Sequence, residues 1–246
     1  MKVNELLEII NGFAPLDTAC EWDNCGLIVG DKDCEITSVY LTLDADMQAL
    51  SEAKALGCNT VVSHHPIIFS PVSKLTAENP AYHYIREGIS VISVHTPLDM
   101  ARGGVNDCLA RACGLENVRD FMLDGKPLGR IGEIDETDAR SFADFIKGTL
   151  MADSCACIIK SNVNRVCVVS GSGGSALRAA VEAGCDTLVT GEAKHDMLLL
   201  ADSLPINLFV LGHFETENIV LDFLKEKLSD SVPCFLSERK SIVEYI

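Results

Sequence analysis

VYLTLDADMQALSEAKALGCNTVVSHH, residues 39–65, lies without a gap on VCVVSGSGGSALRAAVEAGCDTLVTGE, residues 166–192, at a constant offset of 127 (166 − 39). Eight of the 27 positions are identical: Val39/Val166, Ala49/Ala176, Leu50/Leu177, Ala53/Ala180, Gly57/Gly184, Cys58/Cys185, Thr60/Thr187 and Val62/Val189. Each copy reads as a β-branched strand, a loop, a helix closed by glycine just past its end, and a second strand whose end carries polar groups. That is a βαβ unit, twice. A helix and another apolar strand follow each copy, GISVISVHTPLD at 88–99 and INLFVLGHFETE at 206–217. His95-x3-Asp99 and His213-x3-Glu217 then stand at matching strand ends, and the chain reads as an internal duplication.

The spacing predicts an α/β fold of two halves, residues 1–125 and 126–246. Between the copies, GRIGEI, the amphipathic run DARSFADFIKGTL and SCACIIK predict a further strand, helix and strand around 129–160, and SNVN a turn. With no Pro/Ser-rich linker or low-complexity tract, the halves are expected to pack closely.

A chain of 246 residues with 48% apolar composition can bury a large core without staples. Its apolar stretches fall short of the roughly 18 residues a membrane span requires, and MKVNELLEIINGFAP reads as an acidic amphipathic helix, not a signal peptide. The net charge of −16, with no Lys/Arg cluster, disfavours binding along a nucleic-acid backbone. Eleven scattered cysteines, several inside apolar runs (Cys58, Cys167, Cys185), fit reduced thiols and a cytoplasmic setting. Cys155 and Cys157 form the only CxC and are expected on one face of a strand, in the core.

In an α/β sheet, functional groups collect beyond the carboxyl ends of the parallel strands. His64 and His65 follow VVS, His95 and Asp99 follow SVISV, Glu192 follows LVTG, and His213 and Glu217 follow LFVLG. Adjacent histidines in an extended segment point to opposite sides, so His64 and His65 suit one ligand to each of two neighbouring ions. Two cations roughly 3.5–4 Å apart also need carboxylates, for which Asp99 and Glu217 are the candidates. Imidazole with carboxylate favours zinc, manganese, iron, cobalt or nickel over calcium and magnesium. Taken singly, His-His is also an ordinary surface pair and HxxxE an ordinary helix face; the joint pattern in both halves points to metal.

Other features read structurally. GSGGS, 171–175, fits a glycine-rich dinucleotide loop but lacks a clearly placed acid after the next strand, so a structural turn is expected, with anion binding by its amides as the alternative. His83 falls in a helix opened by Asn79 and Pro80. Trp22 is expected to be a packing anchor. His195 reads equally as a group near Glu192 or as a solvated helix residue.

CEWDNCGLIVGD, VVSHHPIIF, VHTPLD, GSGGS, DTLVTGEAKHD and GHFETE, in this order, resemble the GTP cyclohydrolase 1 type 2 family, also called the NIF-three-like dinuclear metal-centre proteins, in its short form. The resemblance runs from the first helix to the last. It implies two intertwined, duplicated α/β halves with mixed sheets, a toroidal homohexamer and two divalent metal ions per subunit. By motif, His64 and His65 match ligands of different metals, Asp99 and His213 a ligand of each, Glu217 the bridging carboxylate, and His95 a position beside them suited to proton transfer or substrate contact. The implied activity is metal-dependent hydrolysis of a small molecule, a nucleotide if the family's name holds, by ions that lower the pKa of a bound water. In GTP the attack falls on C8 of the purine, with His95 as proton donor. Two other readings stand beside it: a phosphoesterase or amidohydrolase, and a non-enzymatic metal-binding or scaffold protein.

Overall fold

The computed structural model describes residues 1–244. Each 27-residue block folds as its pattern predicts: β2 (Val39–Thr42), α2 (Met47–Ala55) and β3 (Thr60–Ser63) in the first, and β8 (Val163–Val169), α7 (Leu177–Glu182) and β9 (Thr187–Thr190) in the second. The offset of 127 persists in the parallel register, Val39 pairing with Thr60 in one sheet and Val166 with Thr187 in the other. All eight identical positions are either buried or the glycine past the helix. Gly57 and Gly184 have φ of 71° and 77°. The next amide closes back onto the helix in each copy, Cys58 N to Ala53 O at 2.8 Å and Cys185 N to Ala180 O at 3.0 Å. This left-handed closure selects glycine and turns the following thiol inward.

The repeat is longer than its alignment. Each block continues into a helix and a third parallel strand, α3 (Pro80–Glu87) with β4 (Ser90–Ser93), and α8 (His195–Ser203) with β10 (Asn207–Val210). Each is preceded by a helix and a strand, α1 (Val3–Phe13) with β1 (Gly26–Val29), and α6 (Ala139–Thr149) with β7 (Ala156–Ile158). β1 runs antiparallel to β4, and β7 antiparallel to β10. The predicted segment 129–160 is thus divided. Its helix and second strand open the second copy, and its first strand is part of a hairpin, β5 (Glu116–Leu123) and β6 (Lys126–Thr137).

The two sheets are mixed, with strand orders β1-β4-β3-β2-β11 and β5-β6-β8-β9-β10-β7. The chain separates into two compact units, Met1–Arg102 with Val220–Arg239, and Gly103–Ile219 with the segment from Lys240. The divisions fall at 102/103, 219/220 and 239/240, against the single boundary expected at 125/126. After the first copy, α5 (Val105–Ala112) and the hairpin leave their own sheet, β6 pairing antiparallel with β8. After the second copy, which ends in α9 (His213–Glu217), α10 (Leu221–Leu228) and β11 (Cys234–Leu236) return to the first sheet, where β11 pairs parallel with β2. Each copy therefore sends its closing elements to the other's unit, the intertwining that the resemblance implies.

In the second unit, strand alternation splits the core between two faces. Val166 and Val168 pack with Phe142, Ile146 and Phe209, while Cys167 and Val169 pack with Phe121, Leu177 and Leu208. In the first unit Tyr40, Val61 and Val91 pack under Ala49, Ala53 and Tyr84. The expected helix around His83 is present, with Asn79 accepting from Ala81 N at 2.9 Å and Pro80 in its first turn. Cys155 is half-buried, but Cys157 is exposed together with its neighbour Ala156, because β7 is a three-residue strand at the edge of its sheet.

Candidate metal centre

His64 and His65 stand just beyond β3, and α4 (Thr96–Met100) begins after His95 at the end of β4. Both strand ends open on the same edge of the first sheet, because β3 and β4 are parallel and in register. The ring centroids of His64 and His65 are 4.9 Å apart, and His95 lies 5.1 and 5.4 Å from them. The expected opposition of His64 and His65 does not occur. β3 ends at Ser63, so the strand alternation no longer governs the two residues that follow.

Each ring is fixed through Nδ1. His64 Nδ1 lies 3.1 Å from Val94 O, His65 Nδ1 2.8 Å from Asp44 Oδ1, and His95 Nδ1 2.9 Å from Asp23 Oδ1. A carbonyl or carboxylate can only accept, so each Nδ1 carries the proton and each Nε2 is left as a lone-pair donor. This is the arrangement that orients metal-ligating imidazoles. One ligand nitrogen from each of the three histidines falls within 4.8 Å of the other two. Asp99, in α4, places Oδ1 3.7 Å from Nε2 of the buried His64. The three imidazoles could hold a metal ion, with the Asp99 carboxylate beside His64.

The carboxylates behind the rings are held ionised. Burial raises the Asp23 carboxyl, but hydrogen bonds from His95 and Thr96 outweigh it and hold the group well below the ordinary carboxylate range. Asp44 follows the same balance, with His65 as the bonded partner and the Arg239 charge nearby. Burial and the neighbouring Asp23 push the Cys25 thiol up to about 12, so it remains a neutral donor to Asp23 Oδ2 at 3.1 Å.

The second unit carries His213 and the buried Glu217 on the short α9. His213 Nε2 is 3.0 Å from Glu217 Oε2 and its Nδ1 3.3 Å from Glu192 Oε1. The turn at 171–175 supports this pair. Gly171 N donates to Thr216 Oγ1 at 3.1 Å, Gly173 N to Thr190 Oγ1 at 2.9 Å, and Gly174 N to Glu192 O at 3.1 Å. These three glycine amides are engaged within the fold, as the structural turn expected here requires. Gly171 has φ of 55°; a methyl group there would collide with the Glu217 carboxylate and sit 3.1 Å from His213 Nε2.

His95 and His213 are not equivalent. Ser90 and Asn207 pair with the equivalent residues Thr60 and Thr187, so the downstream offset is 117 (207 − 90). His95 then corresponds to Gly212, His213 to Thr96, Asp99 to Thr216 and Glu217 to Met100, one residue away from the match that HxxxD and HxxxE suggest. His195 is exposed at the start of α8. Trp22 is no buried anchor: its side chain is 58% exposed, 5.9 Å from the His95 ring. Asp23 and Asp44 were invisible as orienting groups in the sequence, lying 72 and 21 residues from the histidines they hold.

The family described as Duf34/NIF3 (NGG1p interacting factor 3) matches residues 1–241. A Lactococcus lactis protein named GTP cyclohydrolase 1 type 2 homolog is 33% identical over 211 residues, 80% of this chain and 82% of that protein. A Clostridium perfringens protein of the same name is 29% identical over the full length of both. Among solved structures, a Staphylococcus aureus hypothetical protein superposes with a TM-score of 0.92 at 28% identity, covering 100% of this chain and 99% of the other. Reduced HcgD from Methanocaldococcus jannaschii does so at 0.86 and 29%, covering 97% and 98%. From its amphipathic first helix to the closing strand that returns to β2, the chain belongs to the Duf34/NIF3 family.

Proposed function

We propose that the chain is a dinuclear-metal hydrolase. His64, His65 and Asp99 from the first unit and His213 and Glu217 from the second would hold two divalent cations. The observation that carries this reading is the pair of adjacent imidazoles, His64 and His65, anchored through Nδ1 so that each offers Nε2, with His95 held in the same way beside them. When bound, such a pair of ions lowers the pKa of a water and polarises the group attacked. The chain's own part is to hold ligand geometry. Asp44 and the Val94 carbonyl fix the tautomers of His65 and His64, and Gly171 leaves room for Glu217. His95, with Asp23 behind it, can accept or donate a proton at Nε2.

The finer reading is hydrolytic opening of a purine nucleotide, GTP by the name of the curated relatives. Its metal is zinc, manganese, iron, cobalt or nickel, its assembly a homohexamer and its setting the cytoplasm. Among the described residues no helix is long and apolar enough to cross a membrane. The test is metal content per chain of the purified protein and of His65→Ala, together with a turnover screen of GTP, phosphoesters and amides. Two ions per wild-type chain, loss of metal in the folded variant and release of a formylated or ring-opened product from GTP are expected. A folded wild-type chain that takes up no divalent ion overturns the reading. Full metal loading with no turnover of any class leaves a metal-binding scaffold.

A further inference from the structure

Trp22, the only tryptophan of the chain, and Phe69 expose 58% and 50% of their surface. Their ring centroids are 5.8 Å apart with planes tilted by 34°. Both stand roughly perpendicular to the His95 ring, at 5.9 and 6.2 Å and angles of 72° and 73°. The pair therefore forms an aromatic rim on the three-histidine cluster, entirely within the first unit. The rim is built into the fold by the tripeptide that carries it. Trp22 shows its ring; Asp23 binds His95 Nδ1 and the amide of Thr96, at 2.9 and 3.0 Å; Asn24 Nδ2 donates to Ile68 O at 2.6 Å, tying in the segment that bears Phe69. Two large rings held half in water, next to a cluster of ligand nitrogens, mark a binding surface more than a core.

We infer that Trp22 and Phe69 form a stacking site for a planar heteroaromatic ring, and so restrict the substrate of the histidine cluster to nucleobase-like compounds. The inference rests on the proposed metal-dependent hydrolysis at that cluster. Flat aromatic faces bind any π-face, with an uncharged ring losing little on desolvation. A chain of net charge −16 is a poor electrostatic partner for a polyanion recognised by its phosphates alone, which puts the recognition on the ring.

The single tryptophan makes the test direct. Guanosine and adenosine, as ring-bearing probes, are titrated into the full-length, metal-loaded protein while Trp22 fluorescence is followed, with ribose 5-phosphate and tripolyphosphate as ring-free controls. The expected result is saturable quenching by the nucleosides and none by the controls. By equilibrium dialysis, Trp22→Ala weakens guanosine binding by about 10-fold or more, Phe69→Ala weakens it less, and Trp22→Phe restores most of it, all with wild-type metal content. Should Trp22→Ala not fold, Phe69→Ala and Trp22→Phe carry the comparison. Absence of saturable quenching, or wild-type guanosine affinity in Trp22→Ala, overturns the inference. So does a change in oligomeric state without a change in affinity, which assigns the rings to contact with another copy. Metal content is read separately, so a metal-free wild type defeats the proposed chemistry while the quenching still decides the stacking site.

Discussion

At the scale of residues, the centre is made by groups that hold other groups. Asp44→Ala removes the acceptor behind His65 Nδ1 and frees its tautomer. Affinity for a divalent ion is expected to fall by about 10–100-fold, measured by competition with a chromogenic chelator, while the far-ultraviolet circular dichroism stays unchanged. A wild-type affinity in Asp44→Ala would show that the carboxylate does not set the ring. Gly171→Ala acts by crowding. The added methyl meets the Glu217 carboxylate at a backbone φ of 55°, so both stability, by about 1–3 kcal/mol, and metal retention are expected to fall together. Unchanged melting temperature and metal content in that variant would remove Gly171 from the support of Glu217.

At the scale of elements, the duplicated caps make a paired experiment. Nothing lies within 4 Å of a methyl group built on either Gly57 or Gly184, so substitution meets conformational strain without a clash. Gly57→Ala and Gly184→Ala should each lower stability by about 1–2 kcal/mol in denaturant unfolding, and by similar amounts because the closure is the same. A neutral result at either site would mean that the closure there contributes little. The N-terminus of α6 offers a pH test. Asp138 accepts from the amides of Ser141 and Arg140 at 2.9 and 3.0 Å, and these bonds, Ser141 first, hold its carboxyl below its ordinary value. A carboxyl depressed in the folded state adds stability above its unfolded pKa, and that stability fades as the pH falls through the folded value. Asp138→Ala should therefore lower the melting temperature at neutral pH, with a difference that shrinks in acid. A constant difference across that range would assign the effect to something other than the ionised cap.

At the scale of the whole molecule, the return of α10 and β11 to the first sheet is what a truncation can probe. Ending the chain at Ile219 uncovers the β2 edge and the core positions under Leu221, Leu224 and Leu228. An open, apolar parallel edge invites strand pairing between chains, so the truncated protein is expected in the void volume on size exclusion; a monodisperse, folded product would show that the first unit stands without its borrowed elements. The βαβ repeat, its caps and its buried identities were legible because local propensity, turn chemistry and period all agree over each 27-residue block. The strand-end histidines and acids were legible for the same reason, since parallel strands put their carboxyl ends on one edge. Other features depended on contacts far apart in the chain: the exchange of closing elements, the one-residue mismatch between His95 and His213, and the anchoring of His95 by Asp23. No local pattern encodes which sheet a distant strand joins or which carboxylate lies behind a ring. Trp22 is the sharpest instance. Its composition-based expectation was the core, yet only tertiary structure, by pinning Asp23 to His95 and Asn24 to Ile68, left its ring in water beside the histidines.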